Sequence, residues 1–426
     1  MTNARLPEIV TPPPGPKSRD LAARLAAVEC PAFDARREAR AALSEASHAP
    51  IVYARGQGPN VFDVDGNRYV DLVAGFGALI FGHAPEAIVR AVNAQTSELA
   101  LALGDVYAAE AKVHLCERLA ALFPEPGARV MLGLSGADAV TAALKTAQLA
   151  TGRSKVVAFV GGYHGLSHGP LAACGLAPSF RAPFAGQVGD FVTFRPYDAC
   201  DLHLSEDVAA VVVEPLLGRG GCVVPPPGML RELRAQCDAA GALLIADEVW
   251  TGMGRAGSML ASLDEGVVPD LVCLGKGLGA GFPVSALIGR AQAMQAWGAH
   301  GGTTIHTGTH FGSPPACAAA LAVLDTLQTT DIVQRARRTG DAWRAKLERI
   351  AGVTVRGRGL MVGLALEGGA ARALAVSRAL LARGYIVLTG GVTGDTLTLT
   401  PPFDIEQELL DAFDTALVEV LRKGTT

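Results

Sequence analysis

Residues 242–289 read ALLIADEVWTGMGRAGSMLASLDEGVVPDLVCLGKGLGAGFPVSALIG, and this stretch decides the fold. It holds two short apolar runs, at 242–246 and 270–274, which predict strands buried on both faces of a parallel sheet. The first run leads into Asp247, and the second leads to Lys276 between two glycines. Because the carboxyl ends of parallel strands form the ligand crevice, we expect both charged side chains at one edge of the sheet.

The chemistry of this pair indicates a cofactor. A lysine flanked by glycines leaves room for a flat ligand near the backbone, and burial lowers the lysine pKa towards nucleophilic use. Its amine can form a Schiff base with an aldehyde, while a carboxylate holds a ring nitrogen protonated. Pyridoxal phosphate (PLP) needs both groups. The separation of Asp247 and Lys276, 276 − 247 = 29 residues, leaves room for one crossover between neighbouring parallel strands.

Three other interpretations of this stretch are weaker. A strand ending in Asp-Glu is typical of magnesium-binding strands in nucleoside triphosphatases, but the sequence lacks their G-x-x-x-x-G-K-[ST] loop. Residues 252–257 match G-x-G-x-x-G, yet they do not directly follow the strand, and the acidic residues 264 and 265 come too early for dinucleotide binding. Lys276 alone is also compatible with a solvated lysine in a glycine-rich loop.

The chain resembles the class III (omega) pyridoxal-phosphate-dependent aminotransferases of fold type I. The resemblance runs from about residue 50 to the C-terminus, with the motifs in the order and spacing of that family. The segments that carry it are SGADAV at 135–140, YHG at 163–165, VEP at 213–215, LLIADEVWTGMGR at 243–255, CLGKGLGAGFPVSA at 273–286 and THFGSP at 309–314.

The resemblance implies an α/β architecture of two domains. A large domain has a mostly parallel central sheet flanked by helices, and a smaller α/β domain is built from the two chain ends. We expect residues 1–75 to form an N-terminal arm and part of the small domain, residues 76–328 the large PLP-binding domain, and residues 329–426 the C-terminal small domain. The proline-rich residues 1–18 predict a loosely held arm, and residues 84–122 follow a helical pattern.

A turn at 135–138 is the expected phosphate site. Ser135 can cap the helix that follows, and a small turn at a helix N-terminus offers free N–H groups and the positive dipole end to a phosphate. An ordinary capped helix has the same pattern, so only the resemblance assigns the phosphate to Ser135, Gly136 and Ala137. The family usually has Thr or Ser and Glu where this chain has Ala137 and Asp138.

The resemblance implies the remaining roles in the site. Tyr163 stacks on one face of the cofactor ring, Val249 packs under the other, and Thr309 binds the phosphate of the neighbouring subunit, which implies a homodimer with shared active sites. Lys276 and Asp247 are the expected catalytic residues, and no metal is expected. The expected cofactor-binding residues are Ser135, Gly136, Ala137, Tyr163, His164, Glu214, Asp247, Val249, Lys276 and Thr309.

Departures from the family concern the substrate. Phe76, Trp250 and Thr398 are the expected pocket residues, and Trp250 stands where many relatives have glutamine. Many class III enzymes bind a substrate carboxylate with arginines at the positions of Leu166 and Thr398, so the usual clamp is missing. The segment after Glu214 and Pro215 also differs, because Leu-Gly-Arg at 217–219 replaces the usual Gln-Gly-Glu.

Composition restricts the partners. The 426 residues are 50% hydrophobic and 18% charged with a net charge of −4, which is typical of a compact α/β enzyme and argues against nucleic acid as a partner. The longest apolar runs fall short of the roughly 20 residues of a membrane span. No segment near the N-terminus resembles a signal peptide, so we expect a cytoplasmic protein.

The function expected from these residues is amino transfer. A PLP-dependent aminotransferase would take an amino group from an amine or ω-amino acid donor and pass it to a keto acid or aldehyde acceptor, through a Schiff base on Lys276. A 2,1-aminomutase (like glutamate-1-semialdehyde aminomutase) or an amino-acid racemase of the same fold uses the same residues and remains an alternative. A non-catalytic scaffold is a weaker alternative, because Lys276 and Asp247 are both present.

Overall fold

The computed structural model describes residues 4–299 and 301–422. The chain forms two compact units, Glu86–Gln334 and a unit that joins the two chain ends, Met1–Pro85 with Arg335–Thr426. The fold class expected from the sequence is confirmed, since a large unit with a mostly parallel sheet and a smaller α/β unit are both present. The exact domain boundaries at 75 and 328 stay a prediction.

The strands are listed here in chain order. They are β1 (Tyr53–Gln57), β2 (Asn60–Asp63), β3 (Arg68–Asp71), β4 (Arg129–Gly133), β5 (Lys155–Phe159), β6 (Val192–Arg195), β7 (Val208–Val213), β8 (Leu243–Asp247), β9 (Leu271–Leu274), β10 (Ser285–Gly289), β11 (Val353–Arg358), β12 (Met361–Leu366), β13 (Tyr385–Ile386), β14 (Leu388–Gly390) and β15 (Thr396–Leu399).

The helices follow the same numbering scheme. They are α1 (Pro16–Ala26), α2 (Ala32–Ser44), α3 (Ala74–Gly77), α4 (Glu86–Glu98), α5 (Glu110–Ala120), α6 (Gly136–Thr151), α7 (His168–Ala172), α8 (Ala185–Val188), α9 (Met229–Ala240), α10 (Ala291–Gln295), α11 (Pro314–Thr329), α12 (Ile332–Leu347), α13 (Gly369–Leu381) and α14 (Gln407–Arg422).

The large unit is organised around a seven-stranded sheet with the order β4-β10-β9-β8-β7-β5-β6. Neighbouring strands from β9 to β6 pair in parallel, whereas β10 is antiparallel to both β4 and β9. The carboxyl ends of β5, β7, β8 and β9 therefore lie side by side at one edge of the sheet. This edge is the crevice that the sequence predicts for the ligand.

Helices cover both faces of this sheet, which explains why its strands are apolar throughout. Along β7, Ala210 and Val212 pack in the core layer that contains α6, and Val211 and Val213 pack in the opposite layer that contains α9. Side chains alternate between faces along a strand, so a strand buried on both sides needs apolar residues at every position. Every residue of β7 is buried.

The smaller unit contains two four-stranded sheets. One has the order β1-β2-β3-β13 and the other the order β11-β12-β15-β14. The first sheet joins the two chain ends, because β13 pairs in parallel with β3. In the same unit, Trp343 of α12 packs against Phe413 of α14, and its indole N–H donates to Asp414.

The expectation of a loosely held N-terminal arm is wrong for residues 4–18. The backbone N–H of Arg5 donates to the Asn60 side chain at 2.9 Å, and those of Val10 and Thr11 donate to the side chain of Asn67 at 2.9 Å. Helix α1 then begins at Pro16, since proline is tolerated in the first turn of a helix. Two buried asparagines thus fix a segment whose own sequence predicts no structure.

The helical pattern expected over 84–122 is also interrupted. Helix α4 ends at Glu98, and α5 begins only at Glu110. The intervening segment exposes large apolar side chains, namely those of Leu99, Leu101, Leu103, Val106 and Tyr107. The apolar pattern of a helix continues across the gap because these side chains are apolar. They are exposed, however, and do not belong to the core of this chain.

Among residues 4–299 and 301–422, no single helix has both the length and the apolar composition to cross a membrane, and only α11 and α12 taken together pass such a test.

Candidate active site

Four neighbouring strands deliver the polar residues of the site. Asp247 is the last residue of β8, Glu214 directly follows β7, and Lys276 comes two residues after β9. Tyr163 and His164 lie on the loop that follows β5. Because these strands are parallel neighbours, their side chains converge although they are up to 113 residues apart in sequence (276 − 163 = 113).

These side chains line one cavity of about 260 Å³. The cavity contains nine of the residues that the sequence assigns to the cofactor or substrate, together with Gly165 and Leu166. The nine are Gly136, Ala137, Tyr163, His164, Glu214, Asp247, Val249, Trp250 and Lys276.

Asp247 is fixed by two hydrogen bonds. Its Oδ1 accepts the backbone N–H of Val249 at 3.0 Å, and its Oδ2 lies 2.7 Å from Nδ1 of His164. Both side chains are buried. Burial alone lowers the pKa of His164, but the hydrogen bond and charge of Asp247, with the charge of Glu214, outweigh burial and raise this pKa. His164 therefore orients the carboxylate of Asp247, a role that the sequence alone did not assign.

Glu214 connects two loops of the site. Its Oε1 accepts the backbone N–H of Tyr163 at 2.7 Å, and its Oε2 accepts that of Gly218 at 3.0 Å. Burial raises the pKa of Glu214 to about 7, with Asp247 acting in the same direction and His164 and the two N–H groups opposing. The carboxyl group thus holds the backbone beside Tyr163 in place.

Lys276 has the properties of a reactive amine. Burial lowers its pKa to about 8, even though the charges of Asp247 and Glu214 raise it, and Arg219 lowers it further. Its backbone φ is +38°, a strained value for a residue with a side chain. A lysine with a pKa of about 8 is roughly one-tenth neutral at pH 7, far more than an ordinary lysine, and the neutral amine is the form that acts as nucleophile or proton carrier.

Trp250 lies against the lysine. The Nζ atom of Lys276 is 4.1 Å from the centre of the Trp250 ring, which is within the range of a cation–π interaction. Trp250 is 6% exposed, and its indole Nε1 is buried without a hydrogen-bond partner among the described residues. The indole forms one wall of the cavity and leaves a donor unused.

The first turn of α6 can receive an anion. Ser135 and Asp138 form a capping box, in which Asp138 Oδ2 accepts the N–H groups of Leu134 and Ser135 at 3.0 Å. The backbone N–H groups of Gly136 and Ala137 have no acceptor in the described part of the chain, and both residues line the cavity. They stand at the positive end of a helix of 16 residues.

Glycine at position 136 is required by close packing. A Cβ atom there would lie 2.6 Å from Cγ1 of Val249, and one at Gly275 would lie 3.2 Å from the same atom. The N-terminus of α6, the loop after β8 and the loop before Lys276 therefore meet around Val249. This packing sets the position of the turn relative to the lysine.

Four predicted site residues are not in the cavity lining. Ser135 is next to it as the N-cap of α6, and Thr309 is exposed in a turn. Phe76 is 58% exposed, and Thr398 is buried in β15, where it pairs with Gly363 and Leu388. Phe76 and Thr398 belong to the unit of the chain ends, so their roles in the substrate pocket stay predictions, as does the role of Thr309.

The sequence leaves open whether Arg219 or another arginine replaces the missing carboxylate clamp. The guanidinium carbon of Arg219 lies 4.4 Å from the centre of the Tyr163 ring, and its charge acts on Lys276. The sequence feature that points to Arg219 is the Leu-Gly-Arg segment at 217–219, which follows the acidic end of a strand.

Comparison with known proteins gives matches over most of the chain. The family model for class-III aminotransferases matches residues 42–421. An acetylornithine aminotransferase of Methanopyrus kandleri is 39% identical over 382 residues, which is 88% of this chain and 95% of the relative. An acetylornithine aminotransferase of Mycobacterium tuberculosis is 40% identical over 385 residues, 88% of this chain and 92% of the relative.

A solved structure gives the same result. The PLP-bound amine transaminase from an uncultivated Pseudomonas species superimposes with a TM-score of 0.81 at 31% identity, covering 88% of this chain and 95% of that chain.

The cavity fits the cofactor that these comparisons indicate. Two unused N–H groups at the start of α6 suit a phosphate, and a Cβ at Gly136 would fill the space beside Val249. The buried carboxylate of Asp247 suits a protonated ring nitrogen, and the amine of Lys276 suits an aldehyde. The donor set of the cavity is thus that of a PLP site.

Proposed function

This chain belongs to the class III aminotransferase family, and from that premise we propose that it moves an amino group from an amine or ω-amino acid donor to a keto acid or aldehyde acceptor. Amino transfer itself follows from the family; the identity of the donor and the acceptor is the proposal. The observation that carries the assignment of the site is the position of Lys276, whose amine shares one cavity with Asp247.

Pyridoxal phosphate is the cofactor. When bound, it supplies an electron sink for the carbon that carries the amino group. We assign its phosphate to the N–H groups of Gly136 and Ala137, and its ring to the space between Tyr163 and Val249. Asp247, oriented by His164, would pair with the protonated ring nitrogen.

Lys276 is the proton carrier in this proposal. Its amine, whose pKa is lowered to about 8 by burial, takes a proton from the substrate carbon and returns it within the same cavity. Trp250 covers the amine from one side and limits access of water to it. Glu214 keeps the backbone of Tyr163 fixed while the proton moves.

The choice of donor rests on the missing arginines. Leu166 and Thr398 cannot form the paired hydrogen bonds that an arginine makes with a carboxylate, which argues against the standard grip on an α-carboxylate. The names of the two relatives above point to a competing donor, acetylornithine. The amino group of acetylornithine is also at the end of a chain. Acetylornithine and the proposed donors therefore differ mainly in how a carboxylate of the substrate is held.

The experiment is an absorbance titration of the PLP-loaded protein without any keto acid. Diamines, ω-amino acids, aryl-alkyl amines, acetylornithine and α-amino acids are added one class at a time. We expect amines or ω-amino acids to convert the yellow cofactor to its colourless amine form. Conversion by acetylornithine alone, with turnover typical of specialists for it, would contradict the proposed donor class.

A second measurement separates transfer from rearrangement. The amino group is transferred from the cofactor to a separate keto acid, and the keto product formed from the donor is quantified. A mutase or racemase returns the amino group to the same substrate, so it accumulates no keto product. Absence of that product, with Lys276→Ala abolishing the yellow species, favours the mutase or racemase alternative.

The assembly is a further part of the proposal. We assign Thr309 to the cofactor phosphate of a partner subunit in a homodimer, since Thr309 is exposed and outside its own cavity. In a mixture of Lys276→Ala and Thr309→Ala chains, the hybrid dimer regains one site with both residues intact. Recovery of activity after mixing supports sharing, and a strictly monomeric protein in sedimentation would contradict it.

A further inference from the structure

Arg219 lies beside the cavity of Lys276, and no carboxylate in the part of the chain that the structure describes pairs with it. Among the ion pairs and hydrogen bonds of residues 4–299 and 301–422, none joins Arg219 to an acidic side chain. Its guanidinium instead stacks on Tyr163, a cavity wall, at 4.4 Å from the ring centre. Arginine in proteins commonly pairs with carboxylates or phosphates, so an unpaired guanidinium here indicates a site for an external anion.

The position of Arg219 is fixed by its neighbours. Glu214 accepts the N–H of Gly218, the residue before Arg219, and also that of Tyr163. A Cβ on Gly220, the residue after Arg219, would lie 2.8 Å from the carbonyl oxygen of Gly161, so the two loops are in close contact. One buried carboxylate therefore anchors both the arginine and the ring on which it stacks.

Stacking prepares the guanidinium for binding. An aromatic face holds a guanidinium by cation–π attraction and leaves its N–H groups free at the edges. The arginine thus loses little freedom when it meets a carboxylate, and less entropy is lost on binding. Tyr163 and Lys276 line the same cavity, so a guanidinium that stacks on Tyr163 and the amine of Lys276 can act on one small molecule.

We propose that Arg219 binds the carboxylate of the substrate, while the amino group of that substrate reaches Lys276. This inference rests on the proposed function and deepens it. Arg219 then binds the carboxylate in place of the arginines that are missing at Leu166 and Thr398, and it does so from a different loop of the fold. The substrates it selects are ω-amino acids as donors and keto acids as acceptors, in preference to amines without a carboxylate.

The test compares two donors that differ only in the carboxylate. Kinetics with γ-aminobutyrate and n-butylamine are measured for the holoenzyme, Arg219→Gln and Arg219→Lys, with Arg118→Gln as the matched arginine control on the surface. We expect Arg219→Gln to lower kcat/KM for γ-aminobutyrate, mainly through KM, by about 10- to 100-fold more than it lowers kcat/KM for n-butylamine. Arg219→Lys keeps the charge but cannot form the paired hydrogen bonds of a guanidinium, so its loss of kcat/KM for γ-aminobutyrate should be intermediate.

A binding measurement provides a second readout. Glutarate is a dicarboxylate without an amino or keto group, and its dissociation constant for the holoenzyme is measured by calorimetry. We expect Arg219→Gln to raise this constant about 10-fold or more, while Arg118→Gln leaves it unchanged. Thermal unfolding checks that each variant is folded, and Arg219→Lys replaces Arg219→Gln if the latter is not.

Two results would overturn the inference. An equal loss on γ-aminobutyrate and n-butylamine would mean that Arg219 acts only through Tyr163 or Lys276. An unchanged glutarate constant would mean that Arg219 binds no carboxylate. If the wild-type protein consumes neither donor, the proposed donor class fails by itself, and the glutarate constants decide the role of Arg219 alone.

Discussion

The cavity has two sides that are built differently. We call one side the floor, at the carboxyl ends of β8 and β9, which carries Asp247 and Lys276; the other is the side of Tyr163. On the floor, Asp247 ends a central strand, is buried, and is held by hydrogen bonds to His164 and Val249. On the other side, Leu166 is 46% exposed, and Arg219 is held by a stacking contact on a loop. The floor is part of the sheet, whereas the other side is carried by segments between strands.

This difference separates two tasks. Groups on strand ends cannot shift without disturbing a packed core, so the floor suits the chemistry that the whole family shares. Loops tolerate substitution, and two of the residues at which this chain departs from its family, Leu166 and Arg219, lie on loops. We therefore expect substitutions on the floor to abolish the reaction, and substitutions at the opposite side to change the substrate.

The largest effect should follow from removing the amine on the floor. Lys276→Ala removes both the group that reacts with the cofactor aldehyde and the proton carrier, so kcat/KM should fall by about 10⁴-fold or more. Steady-state kinetics of the amine-donor reaction measure this. Lys155→Ala, at the amino end of β5, is the matched control and should retain activity. Activity of Lys276→Ala near the wild-type level would remove the lysine from the mechanism.

The carboxylate on the floor should come next. Asp247→Asn keeps the shape but loses the charge that holds the ring nitrogen protonated, so kcat should fall by about 10²–10³-fold. The same change removes the group that raises the pKa of His164, and this pKa should therefore fall. Kinetics and NMR titration of His164 measure the two effects. Asp238→Asn, which changes an exposed carboxylate paired with Arg234, should alter neither.

Packing between the floor and the phosphate turn should have a smaller effect. Gly136→Ala places a methyl group 2.6 Å from Val249, so the turn or the valine must move. Overpacking of this kind costs about 1–3 kcal/mol, and the affinity for the cofactor should drop about 10-fold. Cofactor titration and thermal unfolding measure both. Gly186→Ala, where a Cβ meets nothing within 4 Å, is the control and should change neither.

The smallest effect should appear in the pH dependence of cofactor loading. Since the pKa of Lys276 is lowered to about 8, its neutral fraction reaches one half near pH 8 and levels off about one to two pH units higher. The rate at which the apoprotein takes up PLP should follow this fraction, as measured by stopped-flow absorbance. A midpoint near the usual lysine pKa would contradict the lowered value.

Trp250→Leu extends this measurement, because the indole of Trp250 lies against the amine of Lys276 and should affect the pH midpoint of PLP uptake. The indole favours the charged amine by up to about 2 kcal/mol, so its removal should lower the midpoint by about one pH unit. Trp250→Phe keeps an aromatic face and should shift it less. Trp343→Leu, in the unit of the chain ends, should leave the midpoint in place.

The sequence was sufficient for the floor of the site. Strand ends can be located by apolar runs that stop at a charged residue, as at Asp247 and Glu214, and the parallel sheet then brings them together. The cavity of nine predicted residues follows from this regularity. Their roles towards the cofactor stay predictions, because the positions alone do not test them.

The remaining features depend on contacts that no local pattern encodes. The stacking of Arg219 on Tyr163 joins residues 56 positions apart (219 − 163 = 56), and the hydrogen bond of His164 to Asp247 joins residues 83 apart. The N-terminal segment was expected to be loose because its prolines exclude regular structure, yet Asn67 supplies the acceptor that its backbone needs. Partners distant in sequence are visible only once the fold is known.

The pairing of β3 with β13 has a consequence for synthesis of the protein. Val70 is the partner of Tyr385, so 315 residues (385 − 70 = 315) must leave the ribosome between one half of this pair and the other. At about 5–20 residues per second, the first strands wait some tens of seconds for their neighbour. The large unit, whose strands are contiguous in sequence, can fold during that interval. The apolar residues of β2 and β3 meanwhile stay open to chaperones, so a slow codon stretch before residue 385 would prolong the period in which the nascent chain is prone to aggregation.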